Sequence, residues 1–265
     1  MSTSEVLYAV SDHIATITLN APERMNTISR AMLNALSEAL LRANEDTAVR
    51  CVILTGAGRA FCAGLDLREA KPGSTSGIAN DNSTRTTLDL RNTPPTVLHG
   101  MDKPTICAIN GGAAGYGMDT ALGCDIRIMG QSAKLAAAFV KRGVVPESGG
   151  TWFLPRMIGW AKAAELIFTG RTLSAQESLD WGLANLVVPD AELQATARAM
   201  AAEIAANAPL AVQASKRMMR MGLNENFPDH VHHVYLQLLP LFKTQDMAEG
   251  MRAFLEKRTP DFKGQ

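Results

Sequence analysis

The chain has 265 residues, and its 26 Lys and Arg balance its 26 Asp and Glu, which gives a formal net charge of +0 at pH 7. This balance argues against a dedicated nucleic-acid-binding protein, whose surface concentrates positive charge. No apolar run is long enough to cross a membrane, and the N-terminus lacks the basic and apolar regions of a secretory signal, so we expect a cytoplasmic protein.

The first part of the chain predicts a hairpin, a helix and a buried strand. Apolar and polar residues alternate over residues 5–10 and 14–19, a pattern typical of two paired strands. Ser29 is a suitable N-cap for a helix that extends to about Asn44. The apolar run Cys51–Thr55 then predicts a strand buried on both faces.

Three further strands are predicted at Thr105–Asn110, Asp125–Met129 and Lys134–Ala138, with a short helix ending near Leu122. Strands that alternate with helices indicate right-handed βαβ crossovers and a largely parallel sheet. From about residue 147 onward the pattern becomes helical. The predicted helices in this region include Ala191–Ala206, Leu210–Met221, Val231–Leu239 and Thr244–Glu256.

The predicted organisation is an α/β core over residues 1–190 followed by a helical C-terminal region over residues 191–265. Residues 71–84 are rich in Gly, Ser, Asn and Thr, which predicts a mobile loop within the core.

The cysteines and histidines do not form a recognisable reactive or metal-binding motif. The four cysteines, at positions 51, 62, 107 and 124, include no CxxC pair, so we expect buried free thiols. Cys62 has no histidine nearby in sequence to activate it as a nucleophile. His230-Val-His-His233 lacks an obvious third ligand, so no metal site is expected.

Two glycine-rich segments, Gly56–Leu67 and Asn110–Asp119, follow buried strands. Neither has the glycine spacing of a nucleotide-binding loop. The first has Phe61, and the second Thr120, where G-x-G-x-x-G requires its third glycine. Glycines let a ligand approach the backbone closely, so two such loops can aim two N–H groups at one oxygen and form an oxyanion hole. Two simple tight turns are the alternative.

Five segments of the chain form a pattern together. They are Asn20–Asn26, Arg59–Leu67, Ile109–Met118, Val145–Trp152 and Lys257–Lys263. In this order they resemble the CoA-contacting turn, the two oxyanion-hole segments, a helix start and the C-terminal tail of the enoyl-CoA hydratase/isomerase (crotonase) family. The resemblance covers essentially the whole chain.

The resemblance implies an α/β fold, a crotonase-like spiral of ββα units with a helical C-terminal trimerisation region, assembled as a homotrimer or a dimer of trimers. It implies an acyl-CoA thioester substrate, no cofactor beyond the coenzyme A of that substrate, and an oxyanion hole made by the backbone N–H groups of Ala63 and Tyr116. The residues it places against CoA or the acyl group are Arg24, Met25, Gly64, Leu65, Asp66, Leu67, Gly115, Phe139, Phe262 and Lys263, the last two reaching the CoA of a neighbouring subunit.

Two carboxylates are candidates for acid–base chemistry beside the thioester. Forming an enolate requires a base at the α-carbon. Glu147 matches the acid of isomerase-type relatives, and Asp119 matches one of two hydratase glutamates, whereas Phe139 occupies the position of the other. Because a phenyl ring cannot activate water, we favour enoyl-CoA isomerisation by Glu147 in fatty-acid or related acyl-CoA metabolism.

Several alternatives remain open from the sequence. Asp119 lies three residues after Tyr116 on the predicted helix, so it can face the site and form a hydratase pair with Glu147. Asp119 can instead be a structural hydrogen-bond acceptor, or a group behind the site that tunes the pKa of Glu147. The chain can also be a non-catalytic acyl-CoA-binding relative, and hydrolysis or dehalogenation through an acid near Glu147 is not excluded.

Overall fold

The computed structural model describes residues 4–66, 68 and 92–265. Their strands are β1 (Val6–Ser11), β2 (Ile14–Leu19), β3 (Cys51–Gly56), β4 (Ala60–Cys62), β5 (Thr105–Ile109), β6 (Gly112–Ala114), β7 (Ile126–Gly130), β8 (Lys134–Ala136), β9 (Thr172–Ser174) and β10 (Leu186–Val188). Their helices are α1 (Arg30–Glu45), α2 (Pro94–Gly100), α3 (Tyr116–Gly123), α4 (Gly150–Thr169), α5 (Ala175–Asp180), α6 (Leu193–Ala205), α7 (Pro209–Gly222), α8 (Phe227–Leu241) and α9 (Gln245–Glu256). None of these helices combines the length and the apolar character needed to cross a bilayer.

The larger sheet contains six strands in the order β1-β2-β3-β5-β7-β10. Strands β1 and β2 form the predicted antiparallel hairpin, with Val6 opposite Leu19. All the other neighbours in this sheet pair in parallel, so the prediction of a largely parallel sheet is confirmed. The predicted helix after Ser29 is also confirmed, because the Ser29 side chain accepts a hydrogen bond from the Met32 N–H and caps α1.

Helices cover both faces of the larger sheet. Strands β3 and β5 are buried at every position, as expected for strands covered on both sides. Successive residues of β3 point to opposite faces, so Val52 and Leu54 join the core that α1 shares, whereas Cys51 and Ile53 pack with α6. The first helix of the predicted C-terminal region therefore packs on the core sheet.

The smaller sheet brings the two glycine-rich segments together. Its order is β4-β6-β8-β9, and β4 runs parallel to β6, with Ala60 opposite Gly112. Because parallel neighbours end at the same edge of a sheet, the segments that follow β4 and β6 leave this edge side by side.

The structure differs from the prediction beyond residue 147. Strands β9 and β10 interrupt the region that we predicted to be helical, and each has only three residues. A three-residue strand is too short to display a periodic pattern. The predicted mobile loop over residues 71–84 lies outside the described residues.

Candidate active site

In the segment after β4, the backbone N–H of Leu65 donates to no backbone acceptor among the described residues. Leu65 forms a parallel bridge with Ile28, which bonds to the residues on either side of Leu65 at 2.8 and 2.9 Å. The Leu65 N–H therefore points away from Ile28. The Ala63 N–H, in contrast, donates to the Met25 carbonyl at 3.0 Å. This bond contradicts the prediction that Ala63 is the oxyanion donor, and the Leu65 amide of the same segment replaces it as the candidate.

The segment after β6 supplies a second free amide close by. Gly115 adopts a φ of 52° and caps α3, so the Tyr116 N–H lies in the first helical turn, where amides have no intrahelical acceptor. A Cβ placed on Gly64, whose φ is +101°, would lie 4.0 Å from Tyr116 N. The two segments thus approach closely through Gly64, and the predicted position of the Tyr116 amide fits an oxyanion hole.

The turn carrying Arg24 and Met25 packs against the first of these segments. The Arg24 guanidinium lies 2.7 Å from the Glu5 carboxylate, and its Nε lies 3.9 Å from the Asp66 Oδ2. Met25 has a left-handed φ of 55° and is 41% exposed. Arg24 is therefore fixed between two carboxylates rather than freely solvated.

Asp66 carries a fixed negative charge beside this turn. The Arg68 side chain donates to its two carboxylate oxygens at 2.9 and 2.6 Å. These hydrogen bonds lower the pKa of Asp66 to about 2, so the group is ionised at neutral pH. Leu67, the neighbouring residue predicted to contact CoA, lies outside the described residues.

The C-terminal tail folds back on its own chain. The Lys263 N–H donates to Asp246 at 2.6 Å, and the Arg50 guanidinium donates to the Phe262 carbonyl at 2.7 Å. The Phe262 ring packs beside Gly250 of α9. The role predicted for Phe262 and Lys263 at a neighbouring subunit stays a prediction.

A cavity of about 380 Å³ opens between α2, the start of α3 and the start of α4. This volume is ample for an acyl group, since ligand cavities typically begin at about 300 Å³. Rings and aliphatic groups alternate with a few polar side chains along its wall. The lining residues are Leu33, Thr93, Pro95, Thr96, His99, Tyr116, Glu147, Ser148, Gly149, Trp152, Phe153 and Asn224.

Glu147 provides the only carboxylate among the described residues that line this cavity. It precedes α4 and shares the cavity wall with Tyr116, so the predicted base and one predicted oxyanion donor lie on the same cavity. The residue keeps an exposed surface, yet partial burial in the cavity wall desolvates the carboxyl group and raises the pKa of Glu147. A carboxylate with a raised pKa is a stronger base than one in water.

Asp119 is buried beneath the cavity wall rather than exposed in it. The residue has no exposed surface, and its Oδ2 accepts hydrogen bonds at 2.9 Å from both the Ser148 hydroxyl and the Gly150 N–H. Its Oδ1 has no partner among the described residues. Asp119 therefore fastens the segment that carries Glu147, and its carboxylate does not reach the ligand-accessible surface.

Phe139 is buried and 4% exposed, and its ring lies beside Gly115. No second carboxylate takes its place among the described lining residues. An apolar ring therefore lies next to the predicted oxyanion hole, at the position where the family resemblance would place a second hydratase acid.

Several lining residues had no predicted role. His99, on α2, is one, and Asn224, after α7, is another. Helix α2 has only seven residues, so its sequence carries little periodicity, and a lone histidine or asparagine gives no motif to recognise.

The cysteines are free thiols, as the sequence predicts, and two of the histidines share one carboxylate. All four cysteines are free and buried, and burial raises the pKa of Cys62 to about 12, which keeps it a thiol. Both His230 and His233 place Nδ1 on the Glu225 carboxylate, at 3.1 and 2.9 Å.

Asp119 makes stability dependent on pH. Burial raises its pKa from 3.8 to about 7 in the folded chain, so the folded chain holds a proton that the unfolded chain has already lost. The free energy of unfolding therefore falls as the pH rises above the unfolded pKa and through the folded pKa. Between about pH 5 and about pH 8 the fall is about 3 kcal/mol. Asp119→Asn removes this titration. Urea unfolding of both proteins at these pH values measures the difference; an equal fall in the variant would contradict the assignment.

Comparisons with known proteins give consistent matches over the chain's length. The family model described as Enoyl-CoA hydratase/isomerase matches residues 9–265. A 1,2-epoxyphenylacetyl-CoA isomerase of Escherichia coli is 38% identical, covering 98% of each chain. An (E)-benzylidenesuccinyl-CoA hydratase of Thauera aromatica is also 38% identical, covering 98% of this chain and 99% of the relative. The crystal structure of an enoyl-CoA hydratase from Bacillus anthracis has a TM-score of 0.89 at 37% identity, covering 98% of this chain and 100% of that chain.

Proposed function

Because the chain belongs to the enoyl-CoA hydratase/isomerase family, whose members are enzymes that act on acyl-CoA, we propose that it shifts a double bond in an enoyl-CoA thioester. One observation carries the choice of isomerisation: Glu147 is the single carboxylate among the described lining residues, with the apolar Phe139 nearby instead of a second acid. The names of the relatives include both isomerases and hydratases, so they do not decide between these reactions.

The proposed reaction begins at the thioester carbonyl. The N–H groups of Leu65 and Tyr116 donate to its oxygen and stabilise the negative charge that develops there. Glu147 removes a proton from C2 of a 3-enoyl ester, and the electron pair of the broken C–H bond moves into a C1–C2 double bond. The resulting dienolate then takes the same proton from the Glu147 carboxylic acid at C4, which leaves a conjugated 2-enoyl ester.

Water addition is the second candidate reaction. It needs one group to activate water and another to supply a proton to the α-carbon. Asp119 is a buried acid near Glu147. Its Oδ1, which has no partner among the described residues, and its pKa of about 7 favour a role in proton transfer. Its lack of exposed surface and its two hydrogen bonds argue against that role, which ranks hydration second.

Purified protein incubated with a trans-3-enoyl-CoA tests the proposal. We expect a conjugated trans-2-enoyl-CoA, identified by liquid chromatography, at a rate proportional to protein concentration. A thioester that binds but remains chemically unchanged would contradict the proposal and would indicate a non-catalytic acyl-CoA-binding protein.

The coenzyme A moiety is proposed to bind along the turn at Arg24 and Met25 and the segment from Gly64 to Leu67. Support comes from the described part of these segments, which pack together through the Ala63–Met25 hydrogen bond and the approach of Arg24 to Asp66.

We also propose a cytoplasmic location, supported by four buried cysteines that remain free thiols.

We propose a homotrimer or a dimer of trimers, supported by the apolar surface of α8 and α9. Large exposed apolar patches are typical of protein interfaces. The side chains that form this surface include Phe227, Tyr235, Leu236, Leu239, Phe254 and Leu255, each at least half exposed. We expect light scattering to give a mass of three or six chains. A monomer at micromolar concentration would contradict the proposal.

A further inference from the structure

We propose that the cavity beside Glu147 is shaped for an acyl group that carries an aromatic ring, which His99, Trp152 and Phe153 hold edge to face. The inference rests on the acyl-CoA function proposed above and adds a substrate class to it. It concerns the wall of the cavity rather than the reacting atoms.

Three rings meet at one side of this cavity and form an aromatic corner, defined by His99, Trp152 and Phe153. The His99 and Trp152 ring centroids are 5.0 Å apart with planes at 70°, and those of Trp152 and Phe153 are 5.2 Å apart at 89°. His99 and Phe153 are 6.1 Å apart at 67°. Every pair is tilted, so the corner offers both ring edges and ring faces to a further ring, which is the arrangement that aromatic groups prefer.

The local sequence fixes the aromatic corner before any ligand binds. Gly149 has a φ of +115°, and a Cβ at this position would lie 2.7 Å from Phe153 Cε2, so only glycine lets this ring pack over the turn. The Arg156 guanidinium stacks on the Trp152 ring at 4.1 Å and hydrogen bonds its backbone carbonyl at 3.2 Å. A rigid wall loses little conformational entropy on binding.

The charge state of the corner suits an uncharged ring. Burial lowers the pKa of His99, and the cations of Arg220 and Lys216 lower it further, so the imidazole is neutral at neutral pH. The volume is also sufficient, because a cavity of roughly 150 Å³ already holds a benzene molecule, and this one measures about 380 Å³. The remainder can accommodate the acyl carbons next to Glu147.

A matched pair of ligands separates ring recognition from size. Calorimetry compares 5-phenylpentanoyl-CoA with 5-cyclohexylpentanoyl-CoA, two saturated esters that cannot isomerise and have the same number of heavy atoms. We expect the phenyl ester to bind roughly tenfold more tightly, since each edge-to-face contact favours an aromatic partner. In Trp152→Leu we expect the two affinities to converge to within about threefold. Trp160→Leu, a change at an exposed tryptophan of the same helix that does not line the cavity, should keep the wild-type ratio.

The corresponding 3-enoyl esters, with phenyl or cyclohexyl at C5, are assayed for turnover beside the binding measurements. A phenyl preference in binding supports the inference whether or not these esters are turned over, and an absence of turnover then counts against isomerisation alone. Equal affinity for both saturated esters overturns the inference, even if both enoyl esters are isomerised. Failure of both saturated esters to bind overturns the inference and the acyl-CoA function together.

Discussion

Replacing Glu147 with Gln lowers kcat for double-bond isomerisation by roughly 10²–10⁴-fold, the contribution typical of a general acid–base group. The amide keeps the shape of the side chain but cannot accept the C2 proton. Binding of an acyl-CoA ester should stay within about threefold of wild type, because the oxyanion donors and the cavity walls are unchanged. Single-turnover kinetics with a 3-enoyl-CoA and calorimetry with a saturated ester measure the two effects separately.

The control for this variant is Glu192→Gln, at an exposed glutamate outside the cavity. We expect it to retain wild-type activity. The pH profile of the wild type gives a further check: Glu147 acts as a base only when ionised, so kcat/KM should decline as pH falls through its raised pKa. Full activity in Glu147→Gln would show that the proton is handled by another group.

Replacing Tyr116 with Pro removes one oxyanion donor without altering any other backbone group. Tyr116 is the first residue of α3, a position that proline favours because no intrahelical acceptor exists there. The preceding residue is Gly115, which has no Cβ to collide with the proline ring. Loss of one such donor typically costs roughly 10²–10³-fold in kcat.

Tyr116→Ala is the matched control, because it loses the phenol ring and keeps the N–H group. We attribute to the amide only the difference in kcat between the proline and alanine variants. Thermal unfolding of both variants verifies that α3 remains folded. If the two variants turned over a 3-enoyl-CoA equally fast, the Tyr116 amide would have no part in stabilising the oxyanion.

The long elements of the fold were predictable because each repeats its pattern over several residues. The β1–β2 hairpin, helix α1 and the buried strands β3 and β5 follow from periodicity and from Ser29 as a cap. The three-residue strands β4, β6, β9 and β10 were not predicted, since pairing with distant neighbours rather than local pattern creates them.

The sequence predicted which segments form the candidate site, but it did not predict which backbone N–H group in each segment is free to bind a ligand. Whether Ala63 or Leu65 offers a free N–H depends on hydrogen bonds to Met25 and Ile28, residues more than thirty positions away in the chain. The same applies to Asp119, because its hydrogen bonds to Ser148 and the Gly150 amide arise only when α3 meets the start of α4. Sequence spacing gives the face of a helix, whereas burial and bonding partners depend on tertiary packing.

Mass spectrometry of the reaction in 18O-labelled water tests the central claim most directly. The purified protein is incubated with a mixture of trans-2- and trans-3-enoyl-CoA, and the two esters are separated by liquid chromatography before their amounts and masses are followed over time. One-acid isomerisation through Glu147 predicts that the 3-enoyl ester becomes the conjugated 2-enoyl ester with no change in mass and no 18O. Gain of one labelled water by either ester would contradict the account and would show that the protein adds water, for which Asp119 and Glu147 are the candidate pair.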